Sequence, residues 1–161
     1  MTHQDRLPFL ATLATLGPIG HLRPAPGTIG SLVALVSGYV IAGFGTGWLL
    51  LAAVLVSGVG IIAADHYGQA TGRKDPGEVI IDEVAGQWLA LCAAPHDMVW
   101  FFAGFILFRF FDIVKPGPVR WVEKWPGGVG VMADDIIAGM LSALCLWLAS
   151  LGLASGLITR F

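Results

Sequence analysis

Between Arg23 and Asp65 the chain carries no charged side chain, a stretch about twice as long as the roughly 20 apolar residues that one bilayer crossing needs. It must fold back on itself. The break falls at Gly43-Phe44-Gly45-Thr46-Gly47, because clustered glycines punctuate a helical run. This predicts helices near 29–42 and 48–64. The first would reach only about 21 Å at 1.5 Å per residue, so it must extend, tilt or meet a locally thinned membrane.

Composition agrees with a bilayer as solvent. Of 161 residues, 56% are hydrophobic and 12% charged, with 22 glycines and a mean hydropathy of +0.78; average globular usage is about 45–50% apolar and about 25% charged. Apolar helices rich in small residues pack closely in membranes. A net charge of −2 supplies no basic field for DNA or RNA, so no nucleic-acid partner is expected. Cys92 and Cys145 lie inside apolar runs, where free thiols behave as small hydrophobes, and no disulfide framework is indicated. Residues 7–16 have the length of a signal-peptide core but hold Pro8, follow Asp5 and lead to no small-x-small site, so the N-terminus reads as mature sequence.

After the polar segment from Asp65 to Glu83, Pro76 suits an early helical position and predicts a third helix over 76–94 with Asp82 and Glu83 on its body. A fourth runs over 98–114 and stops at Lys115-Pro116-Gly117-Pro118. A polar loop holding Gly127-Gly128-Val129-Gly130 leads to a fifth over 132–158, which opens with Asp134 and Asp135. The expected architecture is one all-α domain over 1–161, an integral membrane bundle of about five helices. Lysine and arginine in short loops stay on the cytoplasmic side. Arg6 and Arg23 hold the N-terminus there, and two hairpins return Arg73, Lys74, Lys115, Arg120 and Lys124 to it, leaving Arg160 across the membrane. Every polar cluster then faces the cytoplasm.

An ionisable group at membrane depth is costly and marks function, so the carboxylates are the informative residues. Asp82-Glu83 and Asp134-Asp135 each stand where a polar segment enters an apolar helix, and two helices would aim several oxygens at one point. Oxygen-only ligation suits magnesium, which keeps waters and is completed by substrate phosphate. The plainer alternative is solvated helix ends, with Asp134 and Asp135 favouring a positive helix terminus. Arg109, Asp112 and Lys115 recur every three residues on one helix face. Two cations around one acid would grip phosphate oxygens while Asp112 orients Arg109, or form an internal ion pair that snorkels to the interface. Ala25-Pro26-Gly27-Thr28-Ile29-Gly30-Ser31 opens the first predicted helix with free backbone donors and the hydroxyls of Thr28 and Ser31, which suits a phosphate or an ordinary helix cap with small packing residues.

Other chemistries lack their residues. His3, His21, His66 and His96 have no ligand spacing for zinc. The glycine run lacks the Gly-Lys-Ser/Thr ending of a P-loop. Neither cysteine is followed six positions later by arginine, and no Asp-x-Asp nucleophile motif occurs. Direct attack of a metal-activated water on phosphorus is the economical remaining chemistry.

Taken in order, Pro26 to Ser31, Val79-Ile80-Ile81-Asp82-Glu83 with Gly86 and Trp88, Phe108-Arg109-Phe110-Phe111-Asp112-Ile113-Val114-Lys115-Pro116-Gly117-Pro118, and Gly127 to Asp135 leading to Ala138-Gly139 resemble the phosphatidylglycerophosphatase A family over most of the chain. The resemblance implies a magnesium-dependent, all-helical, multi-pass enzyme of the bacterial inner membrane that removes the terminal phosphate of phosphatidylglycerophosphate, a phospholipid held in the bilayer, with its site facing the cytoplasm. It carries Asp82, Glu83, Asp134 and Asp135 over as magnesium ligands and catalytic groups. Thr28, Ser31, Arg109, Asp112 and Lys115 become the phosphate-binding set, with Lys115 also catalytic. The segment Glu123 to Pro126 departs from the pattern, Glu123 standing where an aspartate is expected. A metal-dependent lipid phosphotransferase and a small transporter with intramembrane charges are the rival readings, told apart by nucleotide release and by ion flux.

Overall fold

The computed structural model describes residues 3–155. Among these residues the protein is all-α, with seven α-helices, one 3-10 turn and no strand. The helices are α1 (His3–Thr15), α2 (Pro26–Ala42), α3 (Thr46–Thr71), α4 (Ile81–Leu91), α5 (Met98–Val114), α6 (Gly117–Val122) and α7 (Gly127–Ala154). The expected count of about five is therefore too low. The two additional helices are α1, in a stretch read as a leader-like segment, and α6, hidden between prolines that read as a stop. Arg160 and the expected end at Ile158 lie outside the described residues, as does the side chain of Arg6.

Three boundaries differ from expectation for local reasons. The second predicted helix does not end at the first charge: α3 continues through Asp65 and His66 to Thr71, where Gly72 adopts the left-handed conformation (φ +68°) that closes a helix. Polar side chains alone do not break backbone hydrogen bonds. The third does not begin at Pro76. Residues 76–79 form a turn, with the Val79 N–H donating to the Pro76 carbonyl, and the Ile80 N–H donates to Ala14 at the end of α1. Asp82 and Glu83 accordingly sit in the first turn of α4 rather than on the body of a longer helix. The last begins five positions early, its glycines Gly127, Gly128 and Gly130 being helical, so Asp134 and Asp135 lie two turns inside α7.

At about 16 Å, α4 is too short to cross a bilayer. It is the central element, packed most extensively on α7 and then on α3, α2 and α5. Gly86 and Gly139 make the crossing with α7 close: a Cβ on Gly86 would overlap the Asp135 carbonyl, and one on Gly139 would overlap the Gly86 carbonyl. Without a hydrophobic driving force between helices, such close backbone packing holds membrane bundles together.

Helices α3 and α7 are long and apolar enough to cross a membrane, and only 28% and 22% of their apolar windows is buried. In a soluble core helix that surface would be covered. Here it faces outward, along with Val36, Val40, Phe102 and Ile106 of α2 and α5. The turns at 43–45 and 92–97 share one end of the bundle, where the Tyr39 carbonyl meets His96. The starts of α2, α4 and α7 and the end of α5 share the other. Cys92 and Cys145 are free thiols, as expected.

Candidate active site

The α4–α7 crossing brings two sequence-distant acid pairs together. Asp82, Glu83 and Asp135 each offer a carboxylate oxygen, and these atoms all lie within 4.8 Å of one another. Asp82 and Asp135 are buried, and Asp82 Oδ1 accepts the Glu83 N–H at 3.0 Å. Like charges so close in an apolar bundle cannot all remain ionised unless a cation compensates them.

Asp134, though adjacent to Asp135, is turned elsewhere. Its Oδ2 is 2.7 Å from Lys115 Nζ, which also stands 2.7 Å from Glu123 Oε1. Lys115 reaches this position from the residue just after α5, in the left-handed conformation (φ +47°) that turns the chain into Pro116. Burial alone would weaken its hold on the proton. The hydrogen bonds to Asp134 and Glu123 outweigh burial and raise its pKa above the usual lysine value, so the ammonium stays charged. Glu123 is correspondingly lowered, chiefly by its hydrogen bond with Lys115. Lys74 adds a donor to the Glu123 carbonyl at 3.1 Å.

Arg109 forms the third part of the site. Its Nη1 is 2.7 Å from Asp112 Oδ2, the orienting pair expected from the spacing, and 3.2 Å from Ser31 Oγ. Ser31 is fully buried and donates to the Gly27 carbonyl. Glycine at position 27 leaves the room that this meeting needs: a Cβ there would overlap Glu83 Oε1 and lie 3.5 Å from Arg109 Nη1. Thr28 is half-buried in the first turn of α2, and no hydrogen bond links its side chain to the cluster among the described residues.

Eight of the nine residues singled out from sequence thus gather at one end of the bundle in three groups, and the ninth, Thr28, lies at the same end in the first turn of α2 without a bond to them. Two participants escaped that reading. Glu123 appeared only as a departure from a motif, yet it holds Lys115. Asp65 was one charge in a polar segment, yet its Oδ1 accepts the Gly128 N–H at 3.1 Å and ties α3 to the start of α7. A carboxylate beside a helix N-terminus is favourable, but sequence offers no sign of which helix it will meet.

Glu83 Oε2, Asp134 Oδ1 and Arg109 Nε are buried without a hydrogen-bond partner. Buried polar atoms are nearly always satisfied, so these point to a ligand, water or ion. Carboxylates outnumber the cations Arg109 and Lys115 around them, and a purely oxygen donor set fits a hard divalent cation.

A family model described as Phosphatidylglycerophosphatase A matches residues 12–150. The chain is 38% identical over 122 residues to a protein of Escherichia coli named phosphatidylglycerophosphatase A, covering 73% of this chain and 70% of that one. It is 35% identical over 128 residues to the Haemophilus influenzae protein of the same name, covering 78% of each. A Bacteroides thetaiotaomicron protein named putative phosphatidylinositol-3-phosphatase is 42% identical over 151 residues, covering 88% of this chain and 94% of that one. No solved structure matches the chain at a significant level.

Proposed function

From the premise that this chain belongs to the phosphatidylglycerophosphatase A family, we propose that it is a magnesium-dependent lipid phosphatase that hydrolyses phosphatidylglycerophosphate to phosphatidylglycerol and inorganic phosphate. The observation that carries this reading is the convergence of Asp82, Glu83 and Asp135 within 4.8 Å beside two cations, each held by its own carboxylate partner.

Asp82, Glu83 and Asp135 would hold the divalent ion, with Asp134 beside them. When bound, it supplies Lewis-acid neutralisation of the phosphate oxygens. Arg109, fixed by Asp112, and Lys115, fixed by Asp134 and Glu123, would grip the same phosphate, with Thr28 near the start of α2 as a further donor and Ser31 Oγ, whose own proton goes to the Gly27 carbonyl, accepting from Arg109 Nη1 and positioning it. Water attacks phosphorus and the bond to the glycerol oxygen breaks. The water proton passes to a carboxylate oxygen, for which Glu83 Oε2 and Asp134 Oδ1, both buried and unpartnered, are the available acceptors, and goes on from there to the departing glycerol oxygen. The products are the alcohol and inorganic phosphate.

The setting is a multi-pass position in the bacterial inner membrane with the site on the cytoplasmic side. Supporting this, Arg23, Arg73, Lys74 and Lys115 all make their ion pairs or hydrogen bonds at the site end of the bundle, as cytoplasmic basic residues do. Exposed Trp121 and Trp125 lie at that end and Trp48 at the other, in the manner of interfacial aromatic belts. Acyl chains remain in the bilayer while the headgroup enters the polar end.

The test is phosphate release by purified protein from phosphatidylglycerophosphate and from phosphatidic acid, with magnesium and then with chelator. Chelator-sensitive release from the first lipid is expected; none, or release indifferent to chelator, would overturn the reading. The Bacteroides relative's name favours a second substrate, so phosphatidylinositol 3-phosphate belongs in the same assay.

A further inference from the structure

Beside the carboxylates lies a cavity of about 200 Å³ between the α3–α4 connection and the start of α7, lined by the charged residues Lys74, Asp75, Glu123, Lys124 and Asp134 together with Gly130 and Val131. It shares Asp134 and Glu123 with the site, the two residues that hold Lys115. At about 30 Å³ per water it accommodates several waters, the scale of a small polyol rather than of an acyl chain. Its lining mixes ammonium donors with carboxylate acceptors. A second phosphate would meet the acids Asp75, Glu123 and Asp134 as well as the lysines, and an apolar group would leave both kinds of charge unsolvated. Hydroxyls, which donate and accept at once, match both. Lys74 Nζ gives one bond to the Glu123 carbonyl and has further protons to offer.

We propose that this cavity receives the polyol of the lipid headgroup, glycerol or one of similar size, with Lys74, Asp75 and Lys124 as specificity-determining residues that bind its hydroxyls. The inference rests on the lipid-phosphatase reading and adds the residues that select among phosphate monoesters. Lys74, Asp75 and Lys124 are exposed, so replacing them leaves the bundle intact.

The experiment measures phosphate release from phosphatidylglycerophosphate by wild type, Asp75→Asn, Lys124→Gln and Lys124→Arg in detergent micelles with magnesium. KM rises about tenfold in the first two variants, the loss of one hydrogen bond to a charged group, while kcat stays within twofold. Lys124→Arg, which keeps a charged donor, returns KM to within twofold of wild type. An unchanged KM in both variants, a kcat loss at unchanged KM, or an arginine variant no better than glutamine would overturn the proposal. A wild type that releases no phosphate from this lipid would instead overturn the underlying reading, and this inference with it.

Discussion

Lys115 and Asp134 meet at 2.7 Å, although one follows the end of α5 and the other lies two turns inside α7. Because Glu123 holds the same ammonium, the lysine we propose to bind phosphate is aimed by two carboxylates at once. Lys115→Met should leave the buried Asp134 without its counter-ion. We expect kcat/KM for phosphatidylglycerophosphate to fall at least 100-fold, about 3 kcal/mol, the upper range for a hydrogen bond to a charged group. Lys115→Arg should recover only part of this, since a planar fork does not reproduce a point charge. Equal activity in wild type and the methionine variant would remove Lys115 from the mechanism.

Asp82→Asn and Asp135→Asn keep the shape of the side chains and remove a charge from the carboxylate cluster. Both should lose more than 100-fold of activity while remaining folded in detergent. Magnesium should raise the Tm of wild type, as any ligand that binds only the folded state does, and should not raise that of either variant. A magnesium-dependent Tm shift of wild-type size in both variants would show that the ion binds elsewhere.

The α4–α7 crossing can be tested without touching a charged residue. Gly139→Ala places a methyl group against the Gly86 carbonyl, and forcing the helices apart should cost about 1–3 kcal/mol along with activity. Gly58→Ala on α3 is the control. Its Cβ would meet nothing within 4 Å, so alanine there should be neutral or stabilising by up to about 1 kcal/mol. Thermal unfolding of the two variants checks both expectations, and equal stability would sink the close-crossing account.

Glu78 ties the α3–α4 connection to Arg73 at 2.9 Å, with Arg23 at 3.9 Å. The hydrogen bond from Arg73 outweighs burial and lowers its pKa below the ordinary glutamate value. Stability from a lowered carboxylate is present above the unfolded-state pKa and lost as pH falls through the folded one. Glu78→Gln should therefore unfold slightly earlier than wild type at pH 7, an exposed pair contributing little, and the gap should close below about pH 4. A gap that widens on acidification would contradict the pairing.

Much of this was legible along the chain. The span 98–114 is bounded as expected because Asp97 caps it, accepting from the Val99 and Trp100 N–H groups, and Lys115-Pro116 stops it; both signals are local. The Arg109–Asp112 pair followed from a spacing of three on one helix. The start of α4 was not legible, because it depends on a hydrogen bond from Ile80 to Ala14, 66 positions away.

Hydropathy, glycine content and the placement of charges determined by themselves that the chain is helical, suited to a bilayer and polar at one end, since each of these depends on neighbours in sequence. Tertiary structure alone decided how the four adjacent-pair acids divide: Asp135 joins Asp82 and Glu83, while Asp134 turns to Lys115. That division depends on how closely two helices cross at Gly86 and Gly139 and on the rotation of α7 about its axis, and both are set by packing between segments that sequence order keeps apart.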